Sequence, residues 1–160
     1  MTRLPQFLAT ASLAWMLTAC GADERPDAQY IAEGNPPLLS DWGQVGLSAG
    51  DLVLGQDVVA YDMNTGLFTD YAHKLRTIWM PDGQTASYRE DDVLDFPVGT
   101  VITKTFYYPR AGNALDERVA RTDDLSADFS NGRMDLDNVR LIETRILVHR
   151  ESGWVALPYR

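Results

Sequence analysis

The stretch Val139–Tyr159, VRLIETRILVHRESGWVALPY, decides the fold. Ile142, Thr144, Ile146 and Val148 recur at every second position and make one apolar face. Leu141, Glu143, Arg145, Leu147 and His149 fall opposite, mixed and partly charged. Alternation with a period of two is the mark of a half-buried strand. Glu151-Ser152-Gly153 offers a turn into WVALPY, so the two runs predict an antiparallel hairpin.

Upstream, TVITKTFYY at 100–108 is β-branched and aromatic, which predicts a central strand ended by Pro109. In HKLRTIWM at 73–80, Leu75, Thr77 and Trp79 oppose Lys74, Arg76 and Ile78, and PDGQ at 81–84 is a turn. TASYREDDVLDFPVG at 85–99 predicts a short strand, an acidic loop and a second short strand. Residues 51–74 break into short extended pieces, and 110–138 form a polar loop or a small strand pair. LLSDWGQVGL at 38–47 suggests one or two helical turns capped by Ser40 and Asp41. Strands joined by turns, with little helix, predict a mainly β module over 38–160, an antiparallel β-sandwich or a barrel-like form.

The N-terminus has a different character. Arg3 is followed by an uncharged, mostly apolar run from Leu4 to Leu17. That run is short for a membrane span, which takes about 20 residues, and has the length of a signal-peptide core. Leu17-Thr18-Ala19-Cys20 resembles the lipobox of bacterial lipoproteins. The resemblance implies a signal peptide at 1–19 and lipid attachment at Cys20, the one cysteine of the chain. Two or more acyl chains anchor stably where one does not. Gly21, where inner-membrane retention would favour Asp, points to the outer membrane and a module facing the periplasm. An acylated Cys20 cannot also serve as nucleophile, disulfide partner or metal ligand. Residues 20–37 are rich in Asp, Glu, Ala and Pro and read as a lipid-anchored, solvated tether.

The net charge is −9, and loss of Arg3 with the signal would take it to −10. Such a surface repels nucleic acid and suits a basic partner or simple solubility.

Candidate chemistry is sparse. Gly46-Leu-Ser48-Ala-Gly50 matches the nucleophile-elbow pattern, but no βαβ unit surrounds it, and a Gly-rich loop fits better. His73 and His149 are the two histidines; neither stands in a ligand motif, and both read as surface residues at strand ends. The acidic clusters Glu90-Asp91-Asp92, Asp123-Asp124 and Asp135-Leu-Asp137 read as solvated loops. DFSNGRMDLDN misses the glycine register of a calcium loop. Gly-x-Gly-x-x-Gly, the P-loop and Cys-x-x-Cys-His are absent. No catalytic, metal or cofactor-binding residue is assigned.

Three phrases carry a further resemblance: LSDWG at 39–43, YDMNTGLFTDYAHKLRTIWMPDG at 61–83, and FPVGTVITKTFYYP at 96–109 with RLIETRILVHRESGWVALPY at 140–159. Together they resemble the N-terminal module of a bacterial family of exported proteins, often lipoproteins. Its longer members continue into a c-type cytochrome region and include dihaem cytochromes. The resemblance implies a non-catalytic scaffold or docking part of an electron-transfer protein, with haem c held only downstream. The family usually runs on past the position of Arg160, so a module truncated at its C-terminal end is expected. The alternative is a stand-alone envelope module binding a glycan or peptide through Tyr107, Tyr108, Trp154 and Tyr159.

Overall fold

The computed structural model describes residues 25–112 and 117–160. It is mainly β, with two antiparallel sheets. The smaller holds β1 (Val45–Ser48), β2 (Asp51–Leu54) and β6 (Arg133–Asp135) in the order β1-β2-β6. The larger holds β3 (Val59–Tyr61), β4 (His73–Trp79), β5 (Val101–Pro109), β7 (Val139–Arg150) and β8 (Gly153–Tyr159), in the order β3-β4-β5-β7-β8. β5 is central, as its composition predicts, and Pro109 is its last residue rather than its terminator. The β7–β8 hairpin forms with Arg150 opposite Gly153. The two short strands expected within 85–99 reduce to one bridge, Ser87 to Asp95. Among the described residues no helix is long and apolar enough to cross a membrane.

Two apolar clusters fill the interior. One joins Val45, Leu52, Leu54 and Met134 of the smaller sheet to Leu75, Tyr107 and Val139 of the larger. The other gathers Trp42, Val101, Ile146 and Val148, with Leu39 and Trp79 touching both. Between them the inner face carries threonines rather than aliphatics. Thr77 and Thr103 share a hydrogen bond of 2.5 Å, and Thr105 and Thr144 one of 2.8 Å. β-Branched shape suits the sheet, and paired hydroxyls satisfy each other where a lone one would be costly.

Strict alternation along β7 fails at one point. Phe106 pairs with Glu143 but Tyr107 pairs with Leu141, so Ile142 is the extra residue of a β-bulge. Unbroken alternation would turn Ile142 and Arg140 inward. The bulge turns Val139 inward instead, to 1% exposure, and leaves Ile142 44% exposed. One extra residue exchanges the faces of everything beyond it.

The segment before the module is a second difference. Read from composition, 20–37 is a solvated tether, yet its described part lies against the sheets. Gln29 donates its backbone N–H to Trp42, Gln56 donates to Pro26, and Tyr30 and Ile31 pack on the second cluster. Tyr and Ile among the acidic residues supply apolar surface that the charge count conceals. Gly43 permits the approach: its φ is +60°, and a Cβ there would stand 1.9 Å from the Asp27 carbonyl oxygen. The turn at Leu39–Trp42 is 3-10, with Leu38 rather than Ser40 at the cap position; Asp41 accepts the Leu38 N–H at 3.2 Å.

Val139→Ala should cost about 2 kcal/mol in urea denaturation, and Ile142→Ala under about 1 kcal/mol. The reverse ranking would contradict the bulge.

Candidate functional site

His73 opens β4 opposite Tyr107 of β5. It is buried, not the surface histidine that its place at a strand end suggests. Nε2 lies 2.8 Å from the Thr122 carbonyl oxygen, which can only accept, so this nitrogen donates. Nδ1 lies 2.7 Å from an Asp128 carboxylate oxygen. Burial opposes the charge on the ring. The bonds to Thr122 and Asp128, with the charges of Asp128 and Asp123, outweigh burial and raise the pKa above the usual histidine value. Asp128 also bonds the buried Tyr107 hydroxyl; burial first, then that bond and charge, push the phenol up. Both ring nitrogens of His73 are engaged, so the ring offers no lone pair as a base. It fastens the 122–128 loop to the sheet.

Beside it a cleft of about 460 Å³ opens at the edge of β4. Its lining includes Leu67, Phe68 and Tyr71 together with Lys74, Arg76 and Asp128. β3 pairs only with Arg76–Ile78, which leaves His73–Leu75 of β4 without a strand on that edge.

The other candidates of the sequence disperse. His149 stands at the far end of the β4-β5-β7 ladder, roughly 25 Å from His73, with seven residues at about 3.3 Å along the strands and two strand spacings across. It stacks on Trp154 at 4.5 Å, with Nδ1 2.8 Å from the Phe96 carbonyl. Ser48 is buried at the β1–β2 hairpin, where Ala49 and Gly50 have φ of +52° and +91°. GLSAG is therefore the end of β1 followed by a two-residue turn at Ala49-Gly50, with no helix after it. Among the described residues no three His, Cys, Asp or Glu side chains gather to hold a metal ion. Asp124 and Asp135 instead accept nearby backbone N–H groups, from Ser126 and Asp137. The four aromatics proposed for stacking do not form a platform. Tyr107 is core, Tyr108 donates to the Asp70 carbonyl, and Tyr159 is held between Trp42 and Pro36. Trp154 stays half-exposed beside His149. Cys20 and the signal segment lie outside the described residues.

The feature that single-strand reading missed lies on the outer face of the larger sheet. Pairing aligns Val59, Ile78, Ile102, Leu147 and Ala156 in one apolar row. The next row is Tyr61, Arg76, Lys104, Arg145 and Pro158, which sets three cations on neighbouring strands. Lys74 follows on the next row, beside Phe106. Burial, then Arg76 and Arg145, pull Lys104 below the usual lysine range. Lys104 and Arg145 both lie over the Phe106 ring, at 4.9 and 5.0 Å. Arg76 is buried and pairs with Asp62 at 2.9 Å, and Glu143 is held low by hydrogen bonds from Arg145 and Arg160. Alternate cations in HKLR, ITK and TR were visible in the sequence, but only the register brings them side by side.

No family model, curated protein or solved structure matches the chain.

The raised His73 pKa fixes a sign. Its stabilising contribution is full below the unfolded histidine pKa of about 6.5 and is lost as pH rises through the higher folded value. The urea midpoint should therefore fall between neutral and alkaline pH, and His73→Gln should remove that part of the slope. An unchanged slope in His73→Gln would rule out a charged His73.

Proposed function

We propose that this chain is a lipid-anchored, non-catalytic docking module of the bacterial cell envelope, attached at Cys20 and facing the periplasm. The observation that carries the docking reading is the outer sheet face, where an apolar row adjoins Lys104 and Arg145, with the buried, Asp62-paired Arg76 behind them, in a chain of net charge −9. Like charges set opposite one another weaken a sheet, so stability alone does not favour such a row. A contact surface gives it a purpose: the apolar row supplies burial, and the cations supply orientation and fast encounter. The two sheets sharing one interior form a sandwich in this reading. The resemblance to the exported cytochrome-associated family makes the module a scaffold within an electron-transfer assembly, with haem c carried elsewhere.

Palmitate labelling in cells should mark the wild-type protein and not Cys20→Ser. A photo-crosslinking residue at Leu147 should capture protein adducts in the envelope, and Lys104→Glu with Arg145→Glu should reduce them about tenfold. Haem staining of an adduct identifies a cytochrome component. Adducts indifferent to charge reversal would sink the docking reading, and labelling that survives Cys20→Ser would sink the anchor.

A further inference from the structure

The bonds of His73 fix more than a charge. The Thr122 carbonyl oxygen and the ionised Asp128 carboxylate face the two nitrogens of one ring, at 2.8 and 2.7 Å, and both can only accept. Two acceptors demand two N–H donors, so this arrangement holds one proton more than a neutral imidazole carries. Once that proton leaves, one nitrogen turns a lone pair on an acceptor. A bond to a carboxylate is stronger than one to a neutral carbonyl, so Nδ1 keeps its hydrogen for Asp128 and Nε2 gives its own to solvent. Asp128 is also the better-held acceptor. It takes the Tyr107 hydroxyl bond, and its neighbours Ala127 and Phe129 pack on the first cluster. Thr122 is the acceptor left facing a lone pair.

The chain around Thr122 is fixed at its two ends. Ala120 donates its N–H to the Pro109 carbonyl at 2.8 Å, and Ala127 packs on the first cluster. Residues 121–126 form an arm between them. Two hydrogen bonds are internal to it: the Asp124 N–H to the Thr122 hydroxyl at 3.0 Å, and the Ser126 N–H to the Asp124 carboxylate at 2.9 Å. Arg121 reaches Asp70 at 3.4 Å, but both side chains are exposed and such pairs contribute little. Among the described hydrogen bonds, the one from Nε2 ties the arm to β4. Asp123 and Leu125 of the arm line the cleft, together with Leu67, Phe68 and Tyr71. From this arrangement we infer that residues 121–126 are a proton-gated wall of the cleft, shut on β4 while His73 carries both ring protons and released at Thr122 when Nε2 loses its own. The inference needs neither the docking reading nor the anchor at Cys20.

The groups facing the ring set the direction. The arm and its root present Asp123, Asp124 and Asp128, whose charges favour a charged ring. β5 presents Tyr107, edge-on at 5.6 Å, with a phenol that burial keeps protonated. β4 and the 62–72 segment bring Lys74, Arg76 and Asp62 to the same cleft. Burial opposes the charge; the bonds to Thr122 and Asp128 and the acids of the arm outweigh it. The arm is therefore shut below about pH 6.5, the ordinary histidine value, and opens as pH rises through the higher folded one.

Nitrogen NMR of the full-length protein, isotope-labelled at histidine, reads the two ring sites, and amide hydrogen exchange reads the arm. Between about pH 6 and about pH 9, Nε2 should lose its proton while Nδ1 keeps one. Exchange at 122–126 should rise about tenfold beyond the intrinsic effect of pH. His73→Gln should abolish that rise, because its amide does not titrate, and Arg121→Gln should leave it in place. Asp128→Asn gives the sharper test. Its amide can donate to Nδ1, so a neutral ring keeps Nε2–H on Thr122 and the arm should stay shut at alkaline pH. A merely structural Asp128 would give the opposite, a looser arm at every pH. Circular dichroism checks that each variant folds, and the wild-type ring and arm readings stand without any variant. A ring that titrates while the arm stays protected would overturn the inference. So would a ring neutral throughout, a proton lost from Nδ1 instead, or an Asp128→Asn arm that opens with pH as the wild type does.

Discussion

The rest of this structure depends on the single extra residue at Ile142. β7 pairs with β5 on one side and β8 on the other, so its facing controls both. Below the bulge, Thr144, Ile146 and Val148 point inward to the threonine pair and the second cluster. Above it, Val139 points inward and completes the first cluster with Tyr107, Leu75 and Met134. Without the bulge, Arg140 would enter that space and carry a charge into an apolar cluster, at a cost of several kcal/mol. With it, Arg140 lies outside and pairs with Glu117 at 2.8 Å. Tyr107 stays in the core, where Asp128 reaches it and draws His73 into the same network.

A second constraint closes the opposite end. Trp42 is fully buried, and its indole N–H donates to the Tyr159 hydroxyl at 2.8 Å. That hydroxyl donates in turn to the Pro36 carbonyl at 3.0 Å. Three distant pieces of chain meet there: the 3-10 turn, the end of β8 and the segment before the module. Burial of a large ring draws them together, and the hydrogen bonds satisfy the polar atoms that burial would otherwise strand. The docked segment is therefore part of the fold, although its composition resembles that of a solvated linker.

What the sequence reveals follows from the range of each interaction. β5, β7 and the β7–β8 hairpin were legible because alternation and turn chemistry are local. Ile142 misled because a bulge leaves the pattern on either side intact and shifts only its phase. His73 misled because its partners, Thr122 and Asp128, lie 49 and 55 residues away. The tether misled because charge dominates its composition while Tyr30 and Ile31 decide its packing. The cation row was present in three strands, but proximity across strands is set by register.

The two faces of the larger sheet obey different rules. Inside, polar groups are matched: threonine to threonine, histidine to carboxylate and carbonyl. Outside, Arg76, Lys104 and Arg145 stand in one row, eased only in part. Arg76 has Asp62, Arg145 has Glu143, and Lys104 has the Phe106 ring. A sheet selected for stability alone would alternate charge signs across its strands. Matched polar groups on the inner face and like charges side by side on the outer one are the contrast on which the docking proposal draws. The conflict lies beside the apolar row, where a partner bringing carboxylates would relieve it while burying that row. Electrostatic strain and exposed apolar surface thus point to the same face of the same five strands.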